Sequence, residues 1–313
     1  MTLAVIDIGT NTVLLLVARF DDRGTLHTLV YEQRVPRLGK GVDAHKNLHP
    51  DSMNRVIHVL DEYRTLLRDY EPYDVVVAGT SAVRDAENNE EFSRLIRAKT
   101  GFQLKILSGD EEALWTYRGA ISGTLDSGNI TVVDIGGGST EITTGKRESI
   151  RNRASIDIGS VRLTERYFKS DPPTDNEIWE ASAFIERELE KMQRLIVRGS
   201  ALVGVAGTAT SLAIIDQELK EFSMKAVTNY RLVKDRIDSL FERLRKIPSR
   251  EIGRLSNVMQ GRSDVITAGT LILQKLMTYL DFSEMIVSER GLRYGLAIRE
   301  WERRIGKVSG NDL

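Results

Sequence analysis

The chain has 313 residues with 44 basic and 45 acidic side chains, four His and no Cys. The absence of Cys excludes a disulfide framework, a thiolate nucleophile and a Cys-ligated metal centre. All four His (His27, His45, His49, His58) fall in the first fifth of the chain, so acid/base work is left mainly to carboxylates. A formal charge of −1 excludes a generic nucleic-acid or membrane-surface binder, which needs a basic surplus. No apolar run approaches a membrane span, and Met1-Thr2-Leu3 lacks a basic leader, so the expected location is the cytoplasm.

In chain order, Val5-Ile6-Asp7-Ile8-Gly9 reads as a buried strand that turns on glycine. Val13–Phe20 and a second β-rich run to Val35 predict a hairpin broken at Asp21–Gly24. Asp51 is expected to cap a helix to about Tyr70, with Val56, Leu60, Tyr63 and Leu67 at helical spacing. A strand at Asp74–Ala78, a helix at Asn88–Lys99, a strand at Phe102–Leu107 and a helix from Ser108 to about Ile121 follow. The series then restarts. Val132-Val133-Asp134-Ile135-Gly136 repeats the opening pattern, and Glu141–Thr144, a turn at Gly145-Lys146 and a run to Ile158 repeat its hairpin. Thr174 and Glu177 have capping-box spacing at the head of a long helix to about Val197. Ala201–Ala206 and Glu284–Val287 read as strands, and Asp264–Tyr279 and Leu292 to about Arg304 as helices. This duplicated order predicts two tandem ribonuclease H-like domains, 1–124 and 125–298, with Asp-Ile-Gly turns on opposite walls of one cleft.

The chemistry concentrates at strand ends. In Asp134-Ile-Gly-Gly-Gly-Ser-Thr-Glu141, consecutive glycines allow close approach of a ligand, and successive N–H groups can point at one anion. Asp134 and Glu141 flank that loop, as carboxylates that hold Mg²⁺ beside a phosphate commonly do. Thr10, Asn11 and Thr12 form the counterpart after Asp7. Neither loop fits a P-loop or a dinucleotide fingerprint. Ser108 and Glu111 have capping-box spacing, which leaves Glu112 without a local structural task. Two readings of Glu112 stay open: a general base, or a solvated acid at a helix N-terminus. Arg84 closes the stretch Gly79–Arg84 at the end of a predicted strand and reads either as a phosphate chelator or as a surface cation. Gly207-Thr208 again places small residues between a strand and a helix, suited to an anion.

As a set, these strings resemble the exopolyphosphatase/guanosine pentaphosphate phosphohydrolase (Ppx/GppA) family in its short two-domain form. The matching stretches are Asp7–Thr12, Arg37–Gly39, Thr80–Arg84, Ser108–Ala113, Asp134–Glu141, Gly159–Glu165, Gly207–Thr210 and Gly291–Gly295. The resemblance implies an α/β fold of the actin, sugar-kinase and heat-shock-chaperone ATPase superfamily, with the C-terminal helix (about 299–313) packed on the first domain. The implied activity is hydrolysis of the terminal phosphoanhydride of inorganic polyphosphate, with Mg²⁺ as cofactor and a homodimer as the assembly. Glu112 matches the catalytic base, Asp134 and Glu141 match the metal-associated acids, and Asp7 joins them as a candidate. Asn11, Thr12, Arg84, Gly137, Gly138, Ser139, Gly207 and Thr208 match or flank phosphate contacts. Leu14 and Leu114 stand where many members carry Arg. The nearest alternative substrate is guanosine pentaphosphate. Alternatives of another class are an ATP-dependent kinase and a non-catalytic nucleotide or polyphosphate binder of the same fold.

Overall fold

The computed structural model describes residues 1–70, 73–123, 128–192 and 200–306. The expected boundary at 124/125, the last stretch of the helix expected to reach Val197, and the tail of the 299–313 helix lie outside them. The chain divides into two compact units. Unit 1 comprises Met1–Ser122 and the stretch from Leu292, and unit 2 comprises Gly123–Gly291.

Unit 1 begins with β1 (Thr2–Ile8), β2 (Val13–Phe20) and β3 (Leu26–Arg34), then α1 (Val42–His45), α2 (Pro50–Leu67), β4 (Asp74–Gly79) and α3 (Ser81–Arg84). It continues with α4 (Asn89–Thr100), β5 (Leu104–Ile106) and α5 (Gly109–Ile121). The sheet order is β3-β2-β1-β4-β5, with β1, β4 and β5 parallel and the β1–β2–β3 meander antiparallel. Side chains of β1 alternate between faces, and both faces are covered. Ala4, Ile6 and Ile8 enter the core shared with α2 and α4, whereas Leu3 and Val5 enter a second core with Trp115 of α5. The second core closes only with α13 (Leu292–Arg304), which contributes Leu292, Tyr294, Leu296 and Ala297. The C-terminal helix therefore belongs to unit 1 from Leu292 rather than from about residue 299. Trp301 stacks on Phe20, ring centroids 5.3 Å apart, and Arg118 bonds Glu302 at 2.5 Å.

Unit 2 repeats the plan with β6 (Asn129–Ile135), β7 (Thr140–Lys146), β8 (Ser149–Ile156), α6 (Ser160–Tyr167), α7 (Asp175–Glu190), β9 (Ala201–Val205) and α8 (Ala206–Asp216). After α9 (Met224–Val227) come β10 (Arg231–Val233), α10 (Lys234–Leu244), α11 (Ser249–Ile252), α12 (Ile266–Tyr279) and β11 (Glu284–Val287). The order β8-β7-β6-β9-β11 reproduces that of unit 1, with β10 added antiparallel on β11. Both units are thus ribonuclease H-like, as the repeat in the sequence predicts.

Three local expectations are corrected. The cap of α2 is His49, whose Nδ1 accepts from the Asp51 amide at 3.2 Å; Pro50 occupies the first helical position and displaces Asp51 into the first turn. The second hairpin turns at Arg147-Glu148, not Gly145-Lys146, because a bulge at Thr144/Gly145 absorbs the glycine and carries β7 to Lys146. The strand before Arg84 ends at Gly79, and the Arg closes the single-turn helix α3.

Candidate functional site

The two Asp-Ile-Gly turns are built alike. Gly9 N donates to Thr12 O at 2.9 Å, and Gly136 N donates to Ser139 O at 3.0 Å. A Cβ on either glycine would stand 3.2 Å from that same carbonyl, so a side chain at either position would press the turn open by a few tenths of an ångström.

Around the first turn, Gly39 N donates to Thr10 O at 2.7 Å and Arg37 N donates to Asn11 O at 3.1 Å, which fixes the peptide planes of Thr10–Thr12. Asp7 lies one residue inside β1 and pairs in register with Leu14. Its Oδ1 is sealed from solvent without a hydrogen-bond partner. Burial pushes the Asp7 carboxyl up to about 6, against the opposing pull of the Arg293 guanidinium.

Still within unit 1, α3, which follows β4, delivers Arg84 and the head of α5 delivers Glu112. Ser108 caps α5 in a capping box with Glu111, as the sequence predicts; Ser108 Oγ accepts from Glu111 N and the Glu111 carboxylate accepts from Ser108 N. Burial opposes ionisation of Glu111. The Ser108 amide and Lys105, at 3.0 Å, outweigh it and hold the carboxyl below the usual range. The next residue, Glu112, points inward and is only 7% exposed. Arg84 Nη1 donates to Glu112 Oε2 at 2.9 Å and to Leu107 O at 3.0 Å. The structure thus joins the candidate base to the candidate phosphate chelator in one ion pair, with Glu112 buried and Arg84 half-buried.

In unit 2, the carbonyls of the glycine loop are turned onto the head of α6. Ser160 N donates to Gly136 O at 2.9 Å, Val161 N and Arg162 N donate to Gly137 O at 2.9 and 3.0 Å, and Arg162 Nε donates to Gly138 O at 2.7 Å. The start of α6 is therefore a brace for the loop, and its first amides are occupied. Among the described residues, the amides of Gly137 and Gly138 donate to no protein carbonyl. Asp134 and Glu141 stand directly opposite each other on β6 and β7. Both are buried, and Ser155, opposite Glu141 on β8, donates to Glu141 Oε1 at 2.7 Å. Thr208 Oγ1 donates to Ile135 O at 3.2 Å and ties α8 to the loop.

Two residues escaped the sequence reading. Ser155 lies fourteen residues from Glu141 in sequence and meets it only through the register of β7 and β8. Arg262 places its guanidinium where a side chain on Gly207 would stand, adding a cation beside the Gly207-Thr208 turn. No local pattern marks either one.

No three acidic or His side chains gather into a ready-made metal cage among the described residues. Magnesium commonly needs no such cage, binding one or two carboxylates together with water and substrate phosphates. Within unit 2 the Asp134–Glu141 pair suits that coordination, and within unit 1 the Asp7 Oδ1 is a buried acceptor that no protein donor satisfies. No helix among the described residues is long and apolar enough to cross a membrane.

Residues 16–304 match the model of the Ppx/GppA phosphatase family. The chain is 34% identical to exopolyphosphatase 2 of Mycobacterium tuberculosis, over 94% of this chain and 97% of that one. It is 28% identical to the guanosine-5′-triphosphate,3′-diphosphate pyrophosphatase of Vibrio atlanticus, over 94% of this chain and 58% of the relative. The crystal structure of the Aquifex aeolicus Ppx/GppA family member superposes with a TM-score of 0.82 at 32% identity, covering 97% of this chain and 98% of that one.

Proposed function

Because this chain belongs to the Ppx/GppA phosphatase family, and is therefore a hydrolase of phosphoanhydride bonds, we propose that it is an exopolyphosphatase releasing orthophosphate from the end of inorganic polyphosphate. The observation that carries this reading is the half-buried Arg84–Glu112 pair, which sets an acceptor for a water proton beside a cation suited to phosphate. In the proposed step, Glu112 accepts a proton from water as the water oxygen attacks the terminal phosphorus. The bridging P–O bond breaks, and the shortened chain leaves with the bridging oxygen. Arg84 and the amides of Gly137, Gly138 and Ser139 hold phosphoryl oxygens as charge spreads over them. Asn11, Thr12, Gly207 and Thr208 complete the assigned phosphate contacts. Asp134 and Glu141, with Asp7 as a further candidate, would hold Mg²⁺, which supplies neutralisation of phosphate charge when bound.

The exopolyphosphatase relative aligns over nearly its whole length, whereas the Vibrio protein aligns over 58% of its own, which supports polyphosphate as substrate. The Vibrio likeness keeps guanosine pentaphosphate as the second substrate to test. Purified protein is incubated with Mg²⁺ and long-chain polyphosphate, guanosine pentaphosphate or ATP, and phosphate release is followed. Polyphosphate is expected to give the highest kcat/KM, and Glu112→Gln to lower kcat by about 10²–10⁴ with binding retained. Full activity in that variant would overturn the assignment of the base.

A further inference from the structure

The repeat of one frame in both units singles out an arginine that the assigned site does not use. Across the strands of unit 1, Asp7, Leu14 and Gln33 stand in register, with Tyr31 two residues before Gln33 on β3. Across those of unit 2 stand Asp134, Glu141 and Ser155, and Arg153 takes the place of Tyr31. Over Tyr31 lies the Arg293 guanidinium of α13, 4.3 Å from the ring centroid. Arg153 is instead exposed, on β8 at the edge of its sheet.

Alternation along β8 fixes which way Arg153 faces. Ile142, Ala154 and Ile156 turn into the core of unit 2, whereas Ser155 turns to the opposite face and donates to Glu141 at 2.7 Å. Arg153 shares that face with Ser155, two residues or about 6.6 Å along the strand. The glycine loop at 136–139 lies on one side of the Glu141–Ser155 pair, and Arg153 lies on the other. A bulge opposite Thr144/Gly145 adjoins Arg153, and bulges commonly re-aim side chains next to functional sites. β8 itself carries no acid; Glu148 and Asp157 stand just outside its two ends. A substrate whose terminal phosphoryl sits in the loop, and whose chain runs along this face, brings its next phosphoryl past Glu141 and within reach of the guanidinium. The planar fork of Arg153 suits two oxygens of that group at once.

We propose that Arg153 is a phosphate-contact residue that grips the second phosphoryl group of a phosphoanhydride substrate, a role that rests on the proposed seat of the terminal phosphoryl in the 136–139 loop. Two linked phosphoryl groups are common to polyphosphate and guanosine pentaphosphate. The probes are therefore imidodiphosphate, whose bridging nitrogen resists hydrolysis, and orthophosphate, which has no second phosphoryl. Titration calorimetry of the full chain with Mg²⁺ measures both affinities. Arg153→Gln is expected to weaken imidodiphosphate by about 10-fold and to leave orthophosphate within about twofold, with Tm unchanged. Arg153→Lys is expected to recover part of that loss, since it restores the charge without the fork. The Mg²⁺ concentration for half-maximal phosphate release is expected not to move, which separates a substrate contact from an effect through Glu141. Unchanged imidodiphosphate affinity in Arg153→Gln, as a charge that merely guards a sheet edge would give, overturns the proposal. So does equal weakening of both ligands, or a wild type that binds imidodiphosphate no better than orthophosphate. A wild type that hydrolyses neither polyphosphate nor guanosine pentaphosphate, yet binds imidodiphosphate through Arg153, would refute the catalytic reading and leave this contact standing.

Discussion

The turns at residues 9–12 and 136–139 share a hydrogen bond and a crowded glycine, yet their surroundings separate their chemistry. Across the first, Asp7 faces Leu14; across the second, Asp134 faces Glu141. One substitution in the cross-strand register turns a lone, desolvated carboxyl into a pair of carboxylates, the second of them oriented by Ser155. The bracing differs as well. An extended segment through Gly39 holds the first turn, and the head of α6 holds the second. On the proposed reading, this difference places the proton acceptor in unit 1 and the principal metal pair in unit 2.

The largest expected effect tests that division. Glu141→Gln should raise the Mg²⁺ concentration needed for half-maximal phosphate release by about 100-fold, and Ser155→Ala by about 10-fold. Asp7→Asn should change it by less than either. An equal effect of Asp7→Asn in the Mg²⁺ titration would erase the asymmetry.

Next comes the bracing. A Cβ on Gly159 would collide with the backbone of Gly137 and Gly138, which cannot move without opening the loop, whereas one on Gly39 meets the Thr10 side chain and Ala82. Gly159→Ala is expected to cost about 3 kcal/mol and Gly39→Ala about 1 kcal/mol, read by denaturant melts. Equal costs would mean that the two braces are equally compliant.

The smallest effect is one of pH. With Asp7 raised from 3.8 to about 6 in the fold, the folded state holds its proton more tightly than the unfolded chain. Its stability is therefore fully present at low pH and declines as pH rises from about 4 through 6. The raised carboxyl corresponds to roughly 3 kcal/mol at most, and partial exposure lowers the expected penalty to about 1 kcal/mol. Asp7→Asn should thus raise Tm above pH 6 and leave it nearly unchanged at pH 4. A Tm difference independent of pH would contradict the strained carboxyl.

The duplicated order, both glycine turns, the two capping boxes and the separation of Glu111 from Glu112 were legible in the sequence because each is encoded within a few residues. The His49 cap and the bulge at Gly145 were not, since Pro50 and strand register override the nearest Asp and the nearest Gly. The added strand β10 is three residues long, too short for a periodic signal. Arg262 and Ser155 reach Gly207 and Glu141 through tertiary packing alone, so no spacing rule finds them.

The return of α13 to unit 1 has a consequence for synthesis. Unit 2 is one uninterrupted segment, so its core is complete once Gly291 has been made. Unit 1 begins first but cannot cover Leu3, Val5, Leu16 and Ala18 with α13 until residues 292–304 leave the ribosome. The nascent chain therefore carries a half-covered apolar sheet through the whole translation of unit 2, a period in which chaperone engagement matters most.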